Sequence, residues 1–234
     1  SVVVARHYGA GDNKMVRKSI GASFVIAIII TVFLMILSVV GLYPLLQVLN
    51  TPKDIIDEAY SYIFTITIFV GVMMAYNLLS GILKAMGNSM MPLVFLIISS
   101  VLNIVLDVLF IVEIGTGIVG AAIATVIAQF VSAILCGIFL VKKYGDILPK
   151  KEDFAIDKAL YKDMWGQGLS MGLMSSVVSM GTVVLQYSIN GLGNLVIAGH
   201  TAARKIFTFS TLPITTLGMS LTTFVSQNKG ANEG

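Results

Sequence analysis

The sequence predicts an all-α polytopic membrane protein with six transmembrane helices, and three observations carry that prediction. Mean hydropathy is +0.92, and 12% of the 234 residues are charged, about half the share of a soluble domain. The charge is absent from long runs and gathered between them. Within the runs, apolar residues do not alternate in steps of two, so they read as helices rather than barrel strands. A soluble domain, a disordered chain and a nucleic-acid binder are excluded on these grounds. The net charge of +3 describes loops rather than a basic surface. Cys136 is the single cysteine and has no internal disulfide partner, and two histidines leave little material for a metal site.

A bilayer core about 30 Å thick needs roughly 20 apolar residues in a helix, and six stretches satisfy this. The first, residues 19–46, starts behind Arg17 and Lys18 and carries no charge to its end. The second, 59–83, follows an acidic loop and stops at Lys84. The third, 90–112, has Pro92 in its first turn, where a missing N–H costs little, and holds a deep acid, Asp107. The fourth, 117–141, is rich in small residues and ends at Lys142 and Lys143. The fifth is 166–189. The sixth, 195–225, contains Pro213, which predicts a kink or local opening. Between the fourth and fifth lies KKEDFAIDKALYKD (residues 150–163), which reads as a solvated linker with a short amphipathic surface helix.

The loops orient the spans. Arg6, Lys14, Arg17, Lys18, Lys84, Lys142, Lys143, Lys150, Lys151, Lys158, Lys162 and Lys229 all fall on one side, 12 of the 15 basic residues. Lys53, in a loop with Asp54, Asp57 and Glu58, falls on the other, and Arg204 and Lys205 sit in the outer part of the sixth span and can snorkel outwards. The positive-inside rule then makes the basic loops cytoplasmic.

The ends of the chain resemble each other. Val4-Ala-Arg-His-Tyr-Gly-Ala-Gly-Asp12 aligns with Val225-Ser-Gln-Asn-Lys-Gly-Ala-Asn-Glu233, placing Gly9-Ala10 on Gly230-Ala231, 221 residues apart. Both copies follow an apolar span on the same side. This predicts a parent of two parallel six-helix halves, an arrangement found in secondary transporters. Ser1-Val-Val-Val reads as the end of a span already under way, so the chain is expected to be a piece of that parent. Residues 1–149 would hold the end of helix two and helices three to six of the amino-terminal lobe. Residues 150–164 would be the linker, and 165–234 helices seven and eight. Gly9 and Gly11 suit positive φ in the turn, and Asp12 suits a cap on the next helix, with gating as the alternative role.

Asp107 is the most informative residue. A carboxylate at such depth costs at least a few kcal/mol, so it must face protein or water. Asn103, four residues earlier, shares its helix face and can offer the carboxylate a donor, or a cation a further oxygen. The alternative is a structural Asp tying helices together. On the fourth span Thr125 and Gln129 repeat the spacing of four, and Thr125 could reach Asp107 if the spans pack. Tyr62, Tyr76 and Asn77 on the second span, and Met174 and Met180 on the fifth, are candidate cavity-lining residues, with interfacial anchoring equally open for Tyr76. His200 reads as interfacial, with a proton relay as the alternative.

The loop ARHYGAGD (residues 5–12), SGILKAMGNSMMP (80–92), LNIVLDVLFI (102–111), GIVGAAIATVIAQ (117–129) and AGHTAARKI…FVSQNKGAN together resemble a bacterial multidrug and toxic compound extrusion (MATE) transporter. The likeness covers essentially the whole chain. It implies twelve helices in two six-helix lobes, of which this chain resembles helices three to eight. It implies export of organic cations and amphipathic drugs, coupled to inward H⁺ or Na⁺, with no other cofactor. It also implies a plasma-membrane location and a monomeric full-length protein with the bilayer and small drugs as partners. An Asn and an Asp on the family's fifth helix and a Thr on its sixth help form the cation site, and they fall on Asn103, Asp107 and Thr125. Sodium, if used, would bind at Asp107. The usual partner, an Asp on the first helix, lies outside the chain. The acid some sodium-coupled members carry on the seventh helix has no counterpart in residues 168–186. A flippase for lipid-linked sugars, an intramembrane enzyme and a non-transporting scaffold are the rivals. The first wants several basic cavity residues, the second convergent acids or His, and the third a silent Asp107→Asn. The reading is therefore a transporter and not an enzyme.

Overall fold

The structure is a computed structural model and describes residues 2–48, 56–190 and 194–231. Its elements are helical throughout the described residues: α1 (Val2–Gly9), α2 (Asn13–Val48), α3 (Ile56–Ile68), α4 (Val70–Ala85), α5 (Met90–Asp107), α6 (Gly117–Tyr144), α7 (Lys158–Asn190) and α8 (Asn194–Gly230). A π-helical turn, Val108–Glu113, continues α5, and two 3₁₀ turns, Gly145–Ile147 and Lys151–Phe154, fill the connection after α6.

The chain forms two compact units. One holds residues 2–155 together with 227–231, and the other holds 156–226. The core of the first unit sits at its basic-loop end. Ile82 and Leu83 of α4, Cys136 and Leu140 of α6, Val16 and Ile20 of α2 and Val4 of α1 are all buried there. Lipid tails are as apolar as these side chains, so close packing rather than water exclusion holds such helices together. Ser132 Oγ donates to the Phe95 carbonyl at 3.1 Å, pinning α6 to α5.

Each expected span has a helix, with three differences. Among the described residues, four helices are long and apolar enough to cross a membrane: Asn13–Gln47, Met90–Glu113, Gly117–Ile147 and Lys158–Ile189. The second expected span is broken: Ala59–Ile68 and Val70–Ala85 meet at 50°. Just before that break Thr65 and Thr67 turn their hydroxyls onto the carbonyls of Ser61 and Ile63, a local competition that bends helices. The sixth, α8, is one helix of 37 residues that is less apolar than the others, because it carries Arg204, Lys205 and seven threonines. Pro213 stands inside α8 without ending it.

The loops are built by glycine and caps. Gly11 takes φ +68 and Asp12 Oδ1 accepts the Met15 N–H at 3.0 Å. Gly9, also expected to adopt positive φ, closes α1 instead. After α4, Gly87 at φ +82 ends the helix and Asn88 Oδ1 accepts the Met91 N–H. The linker's expected surface helix is divided between the 3₁₀ turn Lys151–Phe154 and the start of α7. The 3₁₀ turn is docked: Asp153, buried, accepts the Lys150 N–H at 2.9 Å and pairs with Arg17 at 3.1 Å. The Lys150 N–H and then the Arg17 guanidinium hold the Asp153 carboxyl below the usual carboxylate range, against the opposing effect of burial.

Candidate functional site

The site is built on the α5–α6 hairpin. Two contacts fix its register. Ser132 meets Phe95, and near the other end a Cβ on Gly120 would lie 3.0 Å from Phe110 Cβ. Antiparallel helices advance residue against residue, so Asn103 lies level with the turn of α6 that holds Thr125, and Asp107 lies one turn closer to the hairpin's tip.

Asp107 is the last α-helical residue before the π-helical turn. Its Oδ1 and the Asn103 Nδ2 are both shielded from solvent and have no hydrogen-bond partner. A shared face is what a spacing of four provides, but the Asn103 amide does not donate to the Asp107 carboxylate. A buried amide without a partner costs about 1–3 kcal/mol, and a charged group more. A proton or a cation relieves the carboxylate oxygen, whereas the Asn103 N–H calls for an acceptor. Thr125 donates its hydroxyl to the Ala121 carbonyl of its own helix at 3.0 Å, which leaves its oxygen lone pairs available.

The tip of the hairpin is rigidly closed. Both the N–H and the hydroxyl of Thr116 bond the Phe110 carbonyl, at 2.9 and 2.6 Å, while Gly115 and Gly117 take φ +73 and +59. Gly120 packs so closely on the Thr116 hydroxyl that a Cβ there would overlap it. The π-helical turn widens the helix beyond Asp107, and such turns recur at functional sites. Sequence reasoning missed this device. Its available signal was the run Thr116-Gly-Ile-Val-Gly120 between two spans.

The remaining candidates lie elsewhere. Gln129 is half-buried on α6, one turn from Thr125 towards the basic end. Tyr62 is half-buried on α3. Tyr76 belongs to the packed core and donates its hydroxyl to the Pro92 carbonyl at 3.3 Å, tying α4 to α5. Asn77 is exposed and bonds the Met73 carbonyl of its own helix. Met174 and Met180 are exposed on α7, in the second unit. His200 Nε2, on α8, is shielded and without a hydrogen-bond partner. Among the described residues no three of His, Cys, Asp and Glu gather as a metal cluster.

The MatE family model matches residues 1–109. The probable multidrug resistance protein YpnP of Bacillus subtilis is 32% identical over 192 residues, covering 80% of this chain and 41% of that protein. The chain belongs to the multidrug and toxic compound extrusion (MATE) family. Across 98% of its length this MATE chain is 26% identical to the probable multidrug resistance protein NorM of Thermotoga maritima, spanning 50% of that relative. Its fold matches the crystal structure of a MATE protein in the bent conformation with a TM-score of 0.91 at 24% identity, covering 99% of this chain and 52% of that one. The MATE chain thus spans about half the length of the relatives it matches.

Proposed function

We propose that this MATE chain is the central part of a cation-coupled antiporter that exports organic cations and amphipathic drugs across the bacterial plasma membrane by alternating access. One observation carries the reading: the shielded, unpartnered Asp107 Oδ1 and Asn103 Nδ2, one turn apart. The multidrug names of its relatives support the substrate class.

In this mechanism Asp107 is the coupling group. An incoming proton or Na⁺ neutralises it, while Asn103 and Thr125 supply neutral oxygens beside it. The empty, charged state attracts the organic cation, and the neutralised state releases it. Transport requires only that ion and drug prefer different conformations of the protein. A proton or a monovalent ion suits one carboxylate with neutral neighbours.

The test is efflux of a fluorescent organic cation from cells expressing the full-length protein, with wild type and Asp107→Asn at equal membrane abundance. Loss of efflux in the variant is expected, and its dependence on pH or Na⁺ in wild type then identifies the ion. Undiminished efflux in Asp107→Asn would reduce Asp107 to a structural residue and sink the assignment.

A further inference from the structure

The two loop copies that align in sequence also meet in space. α1 ends at Gly9 and α8 at Gly230, and these ends cross within the first compact unit. A Cβ built on Gly9 would fall on the Gln227 carbonyl, 2.6 Å from its carbon. One built on Gly230 would fall on the Arg6 carbonyl, 2.8 Å from its carbon and 3.0 Å from the Ala10 nitrogen. Neither position admits even a methyl group.

The contact is reciprocal. Arg6 aligns with Gln227 exactly as far along the chain as Gly9 aligns with Gly230, 221 residues in each case. Each glycine therefore rests on the repeat equivalent of the residue that faces its partner. That is the pattern of an isologous two-fold contact, here between two halves of one repeat. The helices are regular at the crossing: Ala10 N–H bonds the Arg6 carbonyl at 3.1 Å, and Ala231 N–H bonds the Gln227 carbonyl at 3.0 Å. Gln227 also donates its side-chain amide to the Ala85 carbonyl at the end of α4, at 2.7 Å, so the crossing is tied to the helix that ends in the next basic loop.

Position and chemistry together point to a seal. Both copies belong to the basic loops, on the side the charge distribution makes cytoplasmic. A pair related by the repeat lies near the pseudo-two-fold axis that relates two parallel halves, where the halves meet as one rocks against the other. The glycines bring backbone against backbone, which shuts out a side chain's width yet gains only dispersion contacts of about 0.1–0.2 kcal/mol per atom pair. Such a contact excludes solvent when made and parts easily. We propose that Gly9 and Gly230 form a backbone-to-backbone gate that closes the cytoplasmic end and opens once in every transport cycle. The inference rests on the antiporter reading.

Ala10 and Ala231 follow the two glycines and are exposed, so they accept cysteines without entering the contact. The full-length protein, otherwise free of reactive cysteines and carrying Ala10→Cys and Ala231→Cys, is treated with a short, reducible thiol cross-linker, and fluorescent-cation export is followed. Export before cross-linking serves as the reference: its absence there overturns the antiporter reading. The gate predicts that cross-linking stops export and that reductant restores it. Gly9→Ala in the same background should lower cross-linking about tenfold by overpacking the crossing. Export that persists with the cross-link in place overturns the gate alone, because the contact is then permanent. A cysteine pair that never cross-links overturns it too, and this holds whether or not the Gly9→Ala protein accumulates.

Discussion

Asp107 and Asn103 are costly where they stand, and that makes stability a test of their purpose. A structural Asp would be held by donors, and replacing it would remove those bonds. Here Oδ1 has none, so Asp107→Asn should leave the unfolding midpoint of the full-length protein in detergent unchanged, or raise it by a few degrees, while abolishing export. A fall of several degrees would mean that the carboxylate anchors the fold. Asn103→Ala follows the same logic: it deletes an unsatisfied amide and should raise stability by about 1–3 kcal/mol, while weakening the ion dependence of export. The depth of Asp107 was legible because a charge inside an apolar run is expensive wherever it points. The missing bond between Asn103 and Asp107 was not legible, since spacing sets the shared face but not the side-chain torsions. Tyr76 shows the same limit. Its place in a span was evident, while its bond to the Pro92 carbonyl depends on how α4 crosses α5.

Elements in this chain are shaped by small local devices. The tip of the α5–α6 hairpin depends on Gly120 leaving room for the Thr116 hydroxyl. Gly120→Ala should displace that hydroxyl, loosen the π-helical turn next to Asp107 and cost about 1–3 kcal/mol, seen as lower thermal stability in detergent. Thr116→Ala in the same background should recover part of the loss by removing the colliding group. The linker offers a pH test. Because the folded Asp153 carboxyl is held below its ordinary value of 3.8, its stabilising contribution is complete above that value and is lost as pH falls through the folded one. Hydrogen exchange of residues 150–155, taken relative to its intrinsic rate at each pH, should accelerate in acid in the wild type. In Asp153→Asn it should be fast already at neutral pH, since about 2 kcal/mol of charge-assisted bonding is gone. Exchange unaffected by the substitution would mean the turn holds without Arg17. The existence of the long helices was readable from apolar length alone, although α8 falls short of the apolarity of a span. The break at Phe69 was not readable, because no proline marks it, and hydroxyl-to-carbonyl bonds like those of Thr65 and Thr67 also occur in the unbroken α8.

At the scale of the molecule, repeat and charge make one consistent arrangement. The alignment of the two ends required no structure, yet the reciprocal fit of Gly9 on Gln227 and of Gly230 on Arg6 is how repeat copies would meet about a shared axis. Surface chemistry agrees with a bilayer setting: residues such as Phe33, Ile104, Phe130 and Val177 are large, apolar and exposed on long helices, a surface too extensive for water. At the basic end of α6, Lys143 lies 5.6 Å from the ring centres of both Phe139 and Tyr144, an amphipathic cluster suited to a headgroup layer. Orientation can therefore be tested at two exposed acids on opposite ends of the helices. Glu113 closes the π-helical turn and Glu152 lies in the 3₁₀ turn of the linker. In intact cells producing the full-length protein, a membrane-impermeant maleimide should label Glu113→Cys directly and Glu152→Cys only after permeabilisation. The reverse pattern would invert the topology and put the Gly9–Gly230 crossing on the outer face. Because the charge bias is 12 basic residues to 3, and each juxtamembrane cation near an anionic leaflet is worth about 1 kcal/mol, that inversion would have to overcome a difference of several kcal/mol.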